Sequence, residues 1–360
     1  MLHALSVHGY RSVRAVDLPL SPVTVVVGAN GTGKTNLYRA LYLLHAAARG
    51  ELARTIADEG GMGSVTWAGE RKKGPVRTAV SIRFDPVEYD LELGLPAVGP
   101  QDPTAFVLDP VVKSESIAAH VGKRRTALFE RGNGSAWGSD DEGRRVNFPF
   151  SLFESESVLS QISEPHKYPE LSAVRQRLMS WRFYHHFRTD PSSPIRSPQV
   201  GVRTVALAHD GADLAAALQT IFEIGDGDAL SRAVMVAFPG ASLEVDCDQG
   251  RFAVRMRMPG LRRMLDAREL SDGTLRYLCL LAALYAPRAP TLLALNEPET
   301  SLHPSLLPAL GEAIATAAAR SQIWVTTHST TLARAIGGAC VTLTLREGAT
   351  TIVEDAREDE

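Results

Sequence analysis

The sequence is poor in cysteine and has no long apolar run. Its three cysteines, Cys247, Cys279 and Cys340, lie far apart and form no CxxC pair, which excludes a zinc ribbon and a disulfide framework. Because Cys279 lies within an apolar run, we expect it in the core. No stretch reaches the roughly 18 apolar residues of a membrane span, and the N-terminus lacks the pattern of a secretory signal. These features predict a soluble, cytoplasmic protein with no membrane contact.

The sequence also has no excess of either charge and little lysine. Its 360 residues carry a formal net charge of −3, which excludes a chain coated in basic surface but is compatible with a local basic patch. Six of the 38 basic residues are lysines, which the base composition of the genome explains most simply. With 44% hydrophobic residues, the chain can bury a sizeable core.

The order of apolar patterns along the chain predicts an α/β fold. A β-branched run that ends at Val27 is typical of a buried strand, and helical spacing follows to about residue 48. Residues 62–150 alternate like strands between loops rich in Gly and Pro, and residues 151–188 favour helices followed by a short strand. From 270 to 345 helical and strand patterns alternate, which indicates a buried parallel sheet.

The segment between the first buried strand and the first helix fits the phosphate-loop pattern GxxxxGK[ST] at every position. Glycines allow the tight turn that points successive N–H groups at a phosphate, and the following helix N-terminus adds partial positive charge. In this pattern Lys34 reaches the β- and γ-phosphates and the Thr35 hydroxyl ligates Mg²⁺. The predicted nucleotide-binding residues here are Gly28, Ala29, Asn30, Gly31, Thr32, Gly33, Lys34, Thr35 and Asn36.

The second half of the chain narrows the class of nucleotide-binding protein. None of the five asparagines is followed by lysine, so the Asn-Lys-x-Asp motif with which GTPases read the base is missing. Instead, Glu297 follows one predicted strand and His328 follows the next. Ligands of open α/β sheets bind at the carboxyl ends of the strands. Glu297 could therefore polarise an attacking water, and His328 could contact the γ-phosphate.

Five segments together resemble the ABC-type ATPase heads of the RecF, SMC and OLD group. After the phosphate loop come Leu270–Thr274, Leu292–Glu299, Ser301–Pro304 and Thr326–Ser329, which resemble the ABC signature, the Walker B strand, the D-loop and the switch-histidine segment. The resemblance implies ATP and Mg²⁺ as cofactors, Glu297 as the base and a homodimer that forms on ATP binding. Ser271, Asp272 and Gly273 would act on the partner's γ-phosphate, although Ser271 also suits the N-cap of a helix.

The resemblance also implies a glutamine that touches Mg²⁺ and the attacking water. Gln161 lies in a segment similar to the group's Q-loop, so we assign it to both the catalytic and the metal-binding residues. Gln176 is the second candidate, and the other interpretation of Gln161 is a glutamine on the surface of a helix. Arg11 resembles a residue that lies near the nucleotide in this group.

One residue departs from the pattern of the group. Asn296 stands where most relatives have an aspartate that supports the Mg²⁺ shell through water. Asparagine keeps an oxygen acceptor but loses the charge, so we expect weaker Mg²⁺ binding and slow hydrolysis, with Asn296 still among the metal-binding residues. Glu299 could supply the missing charge if its side chain points that way.

The resemblance predicts a P-loop NTPase of the ABC-ATPase head type, α/β, with a parallel-sheet core, an antiparallel β-rich lobe and a mixed insertion. We interpret residues 1–360 as one split head, with a nucleotide-binding core at 1–50 and 261–347, the β-rich lobe at 61–150, the mixed insertion at 151–260 and an acidic tail at 348–360. No sustained heptad pattern fills the insertion, so we expect it to be globular and not the coiled coil of SMC proteins. We expect no Toprim nuclease domain like that of OLD-like nucleases after the head.

Arginine and lysine cluster at several places that could track a nucleic-acid backbone. The clusters are Arg71–Lys73, Lys123–Arg125, Arg144–Arg145 and the strand face of Arg255 and Arg257. A solvated strand face would look the same, so DNA binding is one of two interpretations. The pair His185–His186 has no partner at ligand spacing and is interpreted as strand surface.

The sequence therefore predicts an ATP-hydrolysing head that dimerises around ATP and Mg²⁺ and serves DNA repair, recombination or bacterial defence with a separate partner protein. The alternative is a slow or non-hydrolysing nucleotide-gated switch that controls a partner. An ATPase of a membrane transporter is a weaker third hypothesis, since no segment that would couple to a membrane partner is evident.

Overall fold

The computed structural model describes residues 1–70, 74–96, 104–121, 124–132, 135–139, 144–148 and 152–353. Its strands in these ranges are β1 (Ala4–Tyr10), β2 (Val13–Pro19), β3 (Val23–Val27), β4 (Arg77–Phe84), β5 (Val87–Gly94), β6 (Val111–Val121), β7 (Arg124–Gly132), β8 (Ser135–Ser139), β9 (Arg145–Asn147), β10 (Arg182–Tyr184), β11 (Gln199–Val200), β12 (Ser242–Asp248), β13 (Arg251–Arg257), β14 (Leu265–Asp266), β15 (Leu292–Asn296), β16 (Gln322–Thr327), β17 (Ala339–Arg346) and β18 (Ala349–Val353).

The α-helices in the described ranges lie between these strands along the chain. They are α1 (Lys34–Arg49), α2 (Leu52–Asp58), α3 (Met62–Val65), α4 (Val158–Gln161), α5 (Pro169–Met179), α6 (Leu214–Ile224), α7 (Gly227–Ala237), α8 (Asp272–Leu284), α9 (Leu307–Ala317) and α10 (Thr330–Ile336). The chain forms two compact units. The first comprises residues 1–21, 28–181 and 341–360, and the second comprises residues 22–27 and 182–340.

The first unit is built on an antiparallel sheet with the strand order β2-β1-β4-β5-β6-β7-β8-β9. Its strands alternate apolar and polar residues, so one face is buried: Val80, Ile82 and Phe84 of β4 are buried, whereas Arg83 is exposed. Helix α1 presents leucines on its buried side and packs against α5, where the His45 ring Nδ1 lies 2.7 Å from the Leu178 carbonyl. The hairpin of β17 and β18 is also antiparallel.

The second unit contains a parallel sheet with the strand order β10-β15-β16-β3. Strands β15 and β16 are buried along their whole length, as expected of a sheet that is covered on both faces. Helix α8 contributes a continuous buried run to the surrounding core, including Cys279. This burial confirms the prediction that Cys279 is a core residue.

This unit also contains a smaller sheet with the strand order β11-β13-β12, in which the short strand β14 also pairs with β13. Val254 and Met256 of β13 are fully buried, while Arg255 and Arg257 alternate with them on the other face. Gln249 and Gly250 form the turn of the β12–β13 hairpin, both with positive φ.

The predicted fold class is confirmed: a parallel α/β core, an antiparallel β-rich region and a mixed region are all present. The predicted domain boundaries stay a prediction. Residues 349–353, which we assigned to the acidic tail, form β18, since this β-branched run pairs with β17. Residues 354–360 lie outside the described residues. Among the helices that are described, none is long and apolar enough to cross a membrane.

Candidate functional site: phosphate loop and strand edge

The phosphate loop starts directly after β3 and ends where α1 begins. Gly31 and Gly33 have φ of 82° and 100°, values that only glycine adopts without strain. Gly33 caps α1 and is closely surrounded: a Cβ there would lie 2.1 Å from the Thr350 Oγ1. The sequence pattern required glycine at this position, and this contact gives the physical reason.

Lys34 is buried within the loop that precedes it. Its Nζ donates hydrogen bonds to the carbonyls of Gly28 at 2.8 Å and Ala29 at 3.0 Å. The Thr32 hydroxyl donates to the same Ala29 carbonyl at 2.9 Å. These bonds turn the loop carbonyls inward toward the ammonium group, while Ala29 and Asn30 are exposed at the tip of the loop.

The first turn of α1 is tied to two other segments of the first unit. The Asn36 Nδ2 donates to the Ser12 Oγ at 2.8 Å, and the Ser12 and Thr350 hydroxyls are 2.8 Å apart. Asn36 therefore helps to fix the position of the loop. The side chain of Thr35, the residue before it, is half-buried.

Arg11 is held by a carboxylate. Its Nη2 donates to the Glu59 Oε2 at 2.7 Å, and the Tyr10 hydroxyl donates to the same oxygen at 2.6 Å. Arg39 approaches this oxygen to 3.9 Å. Burial, more than the nearby Glu59, raises the pKa of Tyr10 well above its usual range, so Tyr10 stays a hydrogen-bond donor.

Gln161 closes a turn of its own segment. Its Oε1 accepts from the Phe153 backbone N–H at 2.7 Å, and its Nε2 donates to the carbonyls of Phe153 at 3.1 Å and Glu156 at 3.0 Å. Both ends of the amide are thus used within residues 153–161. Gln176, the alternative, is exposed on α5, and the role of Gln161 stays a prediction.

In the second unit, three parallel strands end beside one another. Asn296 pairs with Thr326, and Thr327 pairs with Val27. Glu297 and His328, which directly follow β15 and β16, therefore leave the sheet at the same edge.

Glu297 adopts an unusual backbone conformation at this edge. Its φ is 48°, a region that residues other than glycine rarely occupy. Its N–H donates to the Thr326 carbonyl at 2.8 Å, and its own carbonyl accepts from the Arg276 Nη2 at 3.4 Å. These two bonds fix the backbone from which the carboxylate extends.

Asn296 is buried, and both ends of its amide are used. Its Oδ1 accepts from the Thr326 hydroxyl at 2.7 Å, and its Nδ2 lies 2.7 Å from the Nδ1 of His185. From the sequence, His185 is expected on a strand surface. It is exposed, but it also contacts Asn296, and no local sequence signal joins two residues 111 positions apart.

Glu299 points toward His328. Its Oε1 accepts from the Thr327 hydroxyl at 2.5 Å and from the His328 N–H at 3.0 Å, and it lies 3.2 Å from the His328 Nδ1. Glu299 is 7% exposed, so this buried carboxylate orients a half-exposed imidazole. The other oxygen, Oε2, is buried without a hydrogen-bond partner among the described residues.

The signature segment begins helix α8. The Ser271 Oγ accepts from the Thr274 N–H at 3.1 Å, so Ser271 is the N-cap. Asp272 pairs with the guanidinium of Arg196, which also donates to the Leu270 carbonyl at 2.9 Å. A Cβ at Gly273 would lie 2.7 Å from the Ser301 carbonyl, so the start of α8 packs closely on the loop after Glu299.

Arg276 is a further residue near this edge that no sequence motif identifies. It is 5% exposed on α8, and burial lowers its pKa. Its Nε is buried without a hydrogen-bond partner in the described part of the chain. An arginine in an apolar helix run was the only available signal.

The basic clusters are partly neutralised. Arg255 forms ion pairs with Asp246 at 2.9 Å and Asp266 at 3.1 Å. Arg125 pairs with Glu88 and Asp90, and the Arg145 guanidinium lies 4.1 Å from the centre of the Trp137 ring. The cluster Arg71–Lys73 and Lys123 lie outside the described residues. No group of three or more potential metal ligands occurs among the His, Cys, Asp and Glu residues that are described.

The fold and these motifs define an ABC-type ATPase head of the RecF, SMC and OLD group. Solved SMC heads share the fold. The SMC head bound to the C-winged helix domain of ScpA superimposes with a TM-score of 0.60 at 15% identity, covering 98% of this chain and 97% of that one. The SMC head domain from Thermotoga maritima gives 0.52 at 15% identity, with 98% of both chains covered.

The chain belongs to the AAA_21 family, described as "AAA domain, putative AbiEii toxin, Type IV TA system", whose model matches residues 23–334. It is also similar to an OLD nuclease of Thermus scotoductus, with 48% identity over 44 residues. That match covers 12% of this chain and 8% of the nuclease. Family and fold together identify an ATPase of the AAA, SMC and OLD-like type.

Proposed function

We propose that the chain binds ATP with Mg²⁺ and hydrolyses the bond to the γ-phosphate within a head-to-head homodimer. The register of β3, β15 and β16 carries this proposal. Val27, Asn296 and Thr327 end these strands beside one another, and they immediately precede the phosphate loop, Glu297 and His328. Three chemically distinct groups thus start from one sheet edge.

The residues fit the phosphates of a nucleotide. The loop combines glycines at positive φ with the N-terminus of a 16-residue helix, which has no side-chain cap and supplies backbone N–H donors and partial positive charge. Lys34 would exchange its loop carbonyls for phosphate oxygens.

The residues also fit Mg²⁺, although Asn296 has an uncharged amide where a carboxylate would bind the ion more strongly. The Thr35 hydroxyl suits direct ligation, and the Asn296 Oδ1 keeps a second lone pair for a metal-bound water. Bound Mg²⁺ would neutralise charge on the β- and γ-phosphates.

Hydrolysis would require a base and groups that respond to the phosphate. Glu297 would accept a proton from water as the water oxygen attacks the γ-phosphorus and the bond to the ADP oxygen breaks. His328, oriented by Glu299, would contact the γ-phosphate. Ser271, Asp272 and Gly273 would close over the nucleotide held by the partner, and Gln161 and Arg11 are further predicted contacts.

The test measures the rate of ATP hydrolysis and the oligomeric state of the protein. Wild-type protein should release phosphate in a Mg²⁺-dependent manner, and Glu297→Gln should lower turnover about 10²- to 10⁴-fold while native mass spectrometry shows a dimer that persists with ATP. Glu312→Gln, an exposed glutamate on α9, is the matched control. Two results together would contradict the proposal. Wild type would release no phosphate with or without DNA, and the ATP-bound dimer of Glu297→Gln would last no longer than that of wild type.

A nucleotide-gated switch is the second candidate function, and Asn296 favours it. Its uncharged amide is already engaged by Thr326 and His185, so it offers Mg²⁺ less than a carboxylate would. Under this alternative ATP would still induce the dimer, but steady-state turnover would stay negligible with and without DNA. Turnover therefore separates the two candidates.

The biological role we propose is DNA repair, recombination or bacterial defence, together with a separate partner protein. The description of the family names a toxin and a type IV toxin–antitoxin system, which supports defence. The local relative is named a nuclease, which supports a role on nucleic acid. The similar SMC head is solved with ScpA, which supports a protein partner. Copurification from native host cells, with and without ATP, tests for such a partner.

A further inference from the structure

Arg196 joins the signature segment (Leu270–Thr274) to the loop that follows β10, within the second unit. Its side chain is 11% exposed, and all three guanidinium nitrogens donate hydrogen bonds. The Nε donates to the Thr189 carbonyl at 2.9 Å, and the Nη1 donates to the carbonyls of Leu270 at 2.9 Å and Ala267 at 3.2 Å. The Nη2 donates to the Asp272 Oδ1. One guanidinium therefore fixes the signature segment to a loop that is distant in the sequence.

The carbonyls that Arg196 binds belong to buried residues. Ala267 and Leu270 are 4% and 5% exposed, and they lie directly before the N-cap of α8. A carbonyl in such surroundings loses free energy when its donor is removed. The planar guanidinium can bind several acceptors in fixed directions at once, which an ammonium group cannot do. The shape of the chain just before α8 therefore depends on an arginine at position 196.

Arg196 also offsets a negative charge at the start of α8. Asp272 is the first residue of this helix and is 58% exposed. It lies between Ser271 and Gly273, which the proposed function places over the γ-phosphate of the partner. A free carboxylate there would repel the phosphate, but the ion pair with Arg196 draws it aside and offsets its charge. The backbone N–H groups at the start of the helix can then serve as donors to the phosphate.

We propose that Arg196 is a positioning residue for the signature segment, which it shapes and whose carboxylate it offsets so that the start of α8 can meet the γ-phosphate held by the partner. This role rests on the ATP-bound, head-to-head dimer proposed above. Arg196 acts through Asp272 and the Leu270 carbonyl and touches no reacting group. A single chain should therefore bind ATP without Arg196, whereas formation of the ATP-bound dimer should need it.

The first experiment compares dimerisation with ATP binding. In the Glu297→Gln background with ATP and Mg²⁺, Arg196→Met should raise the protein concentration of half-dimerisation about tenfold or more in analytical ultracentrifugation. The affinity of the monomer for a fluorescent ATP analogue should change less than about threefold. Arg188→Met is the matched control, since Arg188 is exposed in the same loop and pairs with Asp190 at 3.5 Å; it should dimerise normally. Unchanged dimerisation of Arg196→Met would overturn the proposal.

A double-mutant cycle tests whether the charge of Asp272 is part of this role. Asp272→Asn removes the charge that Arg196 offsets. The loss of dimerisation caused by Arg196→Met should therefore be at least about threefold smaller in the Asp272→Asn background than in its absence. A purely structural role for Arg196 would give equal losses in both backgrounds, and that result would overturn the charge-offsetting role.

Mixing two inactive variants tests which side of the site Arg196 serves. In a head-to-head dimer each site combines the phosphate loop of one chain with the signature segment of the other. A mixed dimer of Lys34→Ala and Arg196→Met therefore has one intact site, and an equimolar mixture should recover about a tenth or more of wild-type turnover. A defect at the variant's own phosphate loop would allow no recovery. If Arg196→Met does not fold, Arg196→Lys, which keeps the charge but not the fork, replaces it in the mixture.

A reference mixture separates failure of this role from failure of the proposed function. It combines Lys34→Ala with Ser271→Arg, whose substitution lies in the signature segment itself. If the reference mixture recovers turnover and the mixture with Arg196→Met does not, only the role of Arg196 falls. If neither recovers turnover although wild type hydrolyses ATP, the head-to-head arrangement falls and the role of Arg196 with it. If wild type dimerises with ATP but does not hydrolyse it, the ultracentrifugation decides the role of Arg196.

Discussion

The phosphate loop and the strand edge of Asn296 and Glu297 reach their chemistry by opposite means. The loop is formed mainly by groups that are close together in the sequence. These are two glycines at positive φ, a helix N-terminus and a lysine that donates hydrogen bonds to carbonyls five and six residues before it. The strand edge is formed by side chains that are far apart in the sequence and that the sheet brings together. Asn296 contacts Thr326, 30 positions away, and His185, 111 positions away.

This difference determines how each region tolerates substitution. A loop made of backbone fails when a side chain occupies space that the backbone needs. An edge made of hydrogen-bonded side chains fails when a donor or acceptor loses its partner. Substitutions that separate these two kinds of failure test the comparison, and the largest effect is expected in the loop.

Gly33→Ala should abolish nucleotide binding and lower the free energy of unfolding by roughly 2–4 kcal/mol. The new Cβ would lie 2.1 Å from the Thr350 Oγ1, at a φ of 100°. Gly31→Ala is the matched control, since Gly31 also has positive φ but nothing lies within 4 Å of its Cβ position; it should cost about 1 kcal/mol. Urea denaturation and the affinity for a fluorescent ATP analogue measure both variants. Equal losses in the two would show that strain alone, and not the contact with Thr350, limits the loop.

Glu299→Ala should lower turnover about 10- to 100-fold and the free energy of unfolding by about 1–3 kcal/mol. The substitution leaves the buried Thr327 hydroxyl and the His328 N–H without their acceptor and removes the group that orients the imidazole. Glu299→Gln keeps an oxygen acceptor and should lose less than half as much stability. Thermal unfolding and phosphate release measure the pair of variants. If Glu299→Gln were as damaging as Glu299→Ala, the charge rather than the acceptor would be what matters.

The same contrast explains how much could be predicted from the sequence. The phosphate loop, the buried strands and the signature helix were predictable because glycine spacing, β-branched runs and an N-cap serine are local signals. The position of Glu299 was not, because a carboxylate two residues beyond Glu297 can point to either side of the turn. The contact of His185 with Asn296 required the pairing of β10 with β15, which a three-residue strand does not reveal.

Gln161 shows the limit of motif resemblance. Its segment is similar in letters to a Q-loop, yet the amide bonds to the backbone of Phe153 and Glu156. A local resemblance does not report whether a side chain is already engaged. Burial of Arg276 was equally hidden, since helical periodicity in α8 predicts an apolar residue wherever the helix faces the core.

Arg276→Met should lower turnover about tenfold while changing the free energy of unfolding by less than about 1 kcal/mol. The guanidinium contacts the Glu297 carbonyl at 3.4 Å, so its loss releases a backbone held at an unfavourable φ. Stability should change little, because burying the charge is costly and the Nε has no partner within the described residues. The turnover of Arg276→Lys should lie between that of wild type and that of Arg276→Met. A stability loss as large as that of Glu299→Ala would show that Arg276 has a structural role instead.

The smallest effect is expected on the strand face of β13, where the two arginines differ in their partners. Arg255 already pairs with Asp246 and Asp266, whereas Arg257 is more exposed and lies opposite Ser242. If this face contacts DNA, Arg257→Ala should weaken binding about two- to fivefold and lower the salt slope by about one. Arg255→Ala should change binding less than twofold, because its charge is offset before DNA arrives. Fluorescence anisotropy at several salt concentrations measures this difference. Equal effects would mean that the carboxylates release Arg255 on binding, and salt-independent binding would exclude the face as a DNA contact.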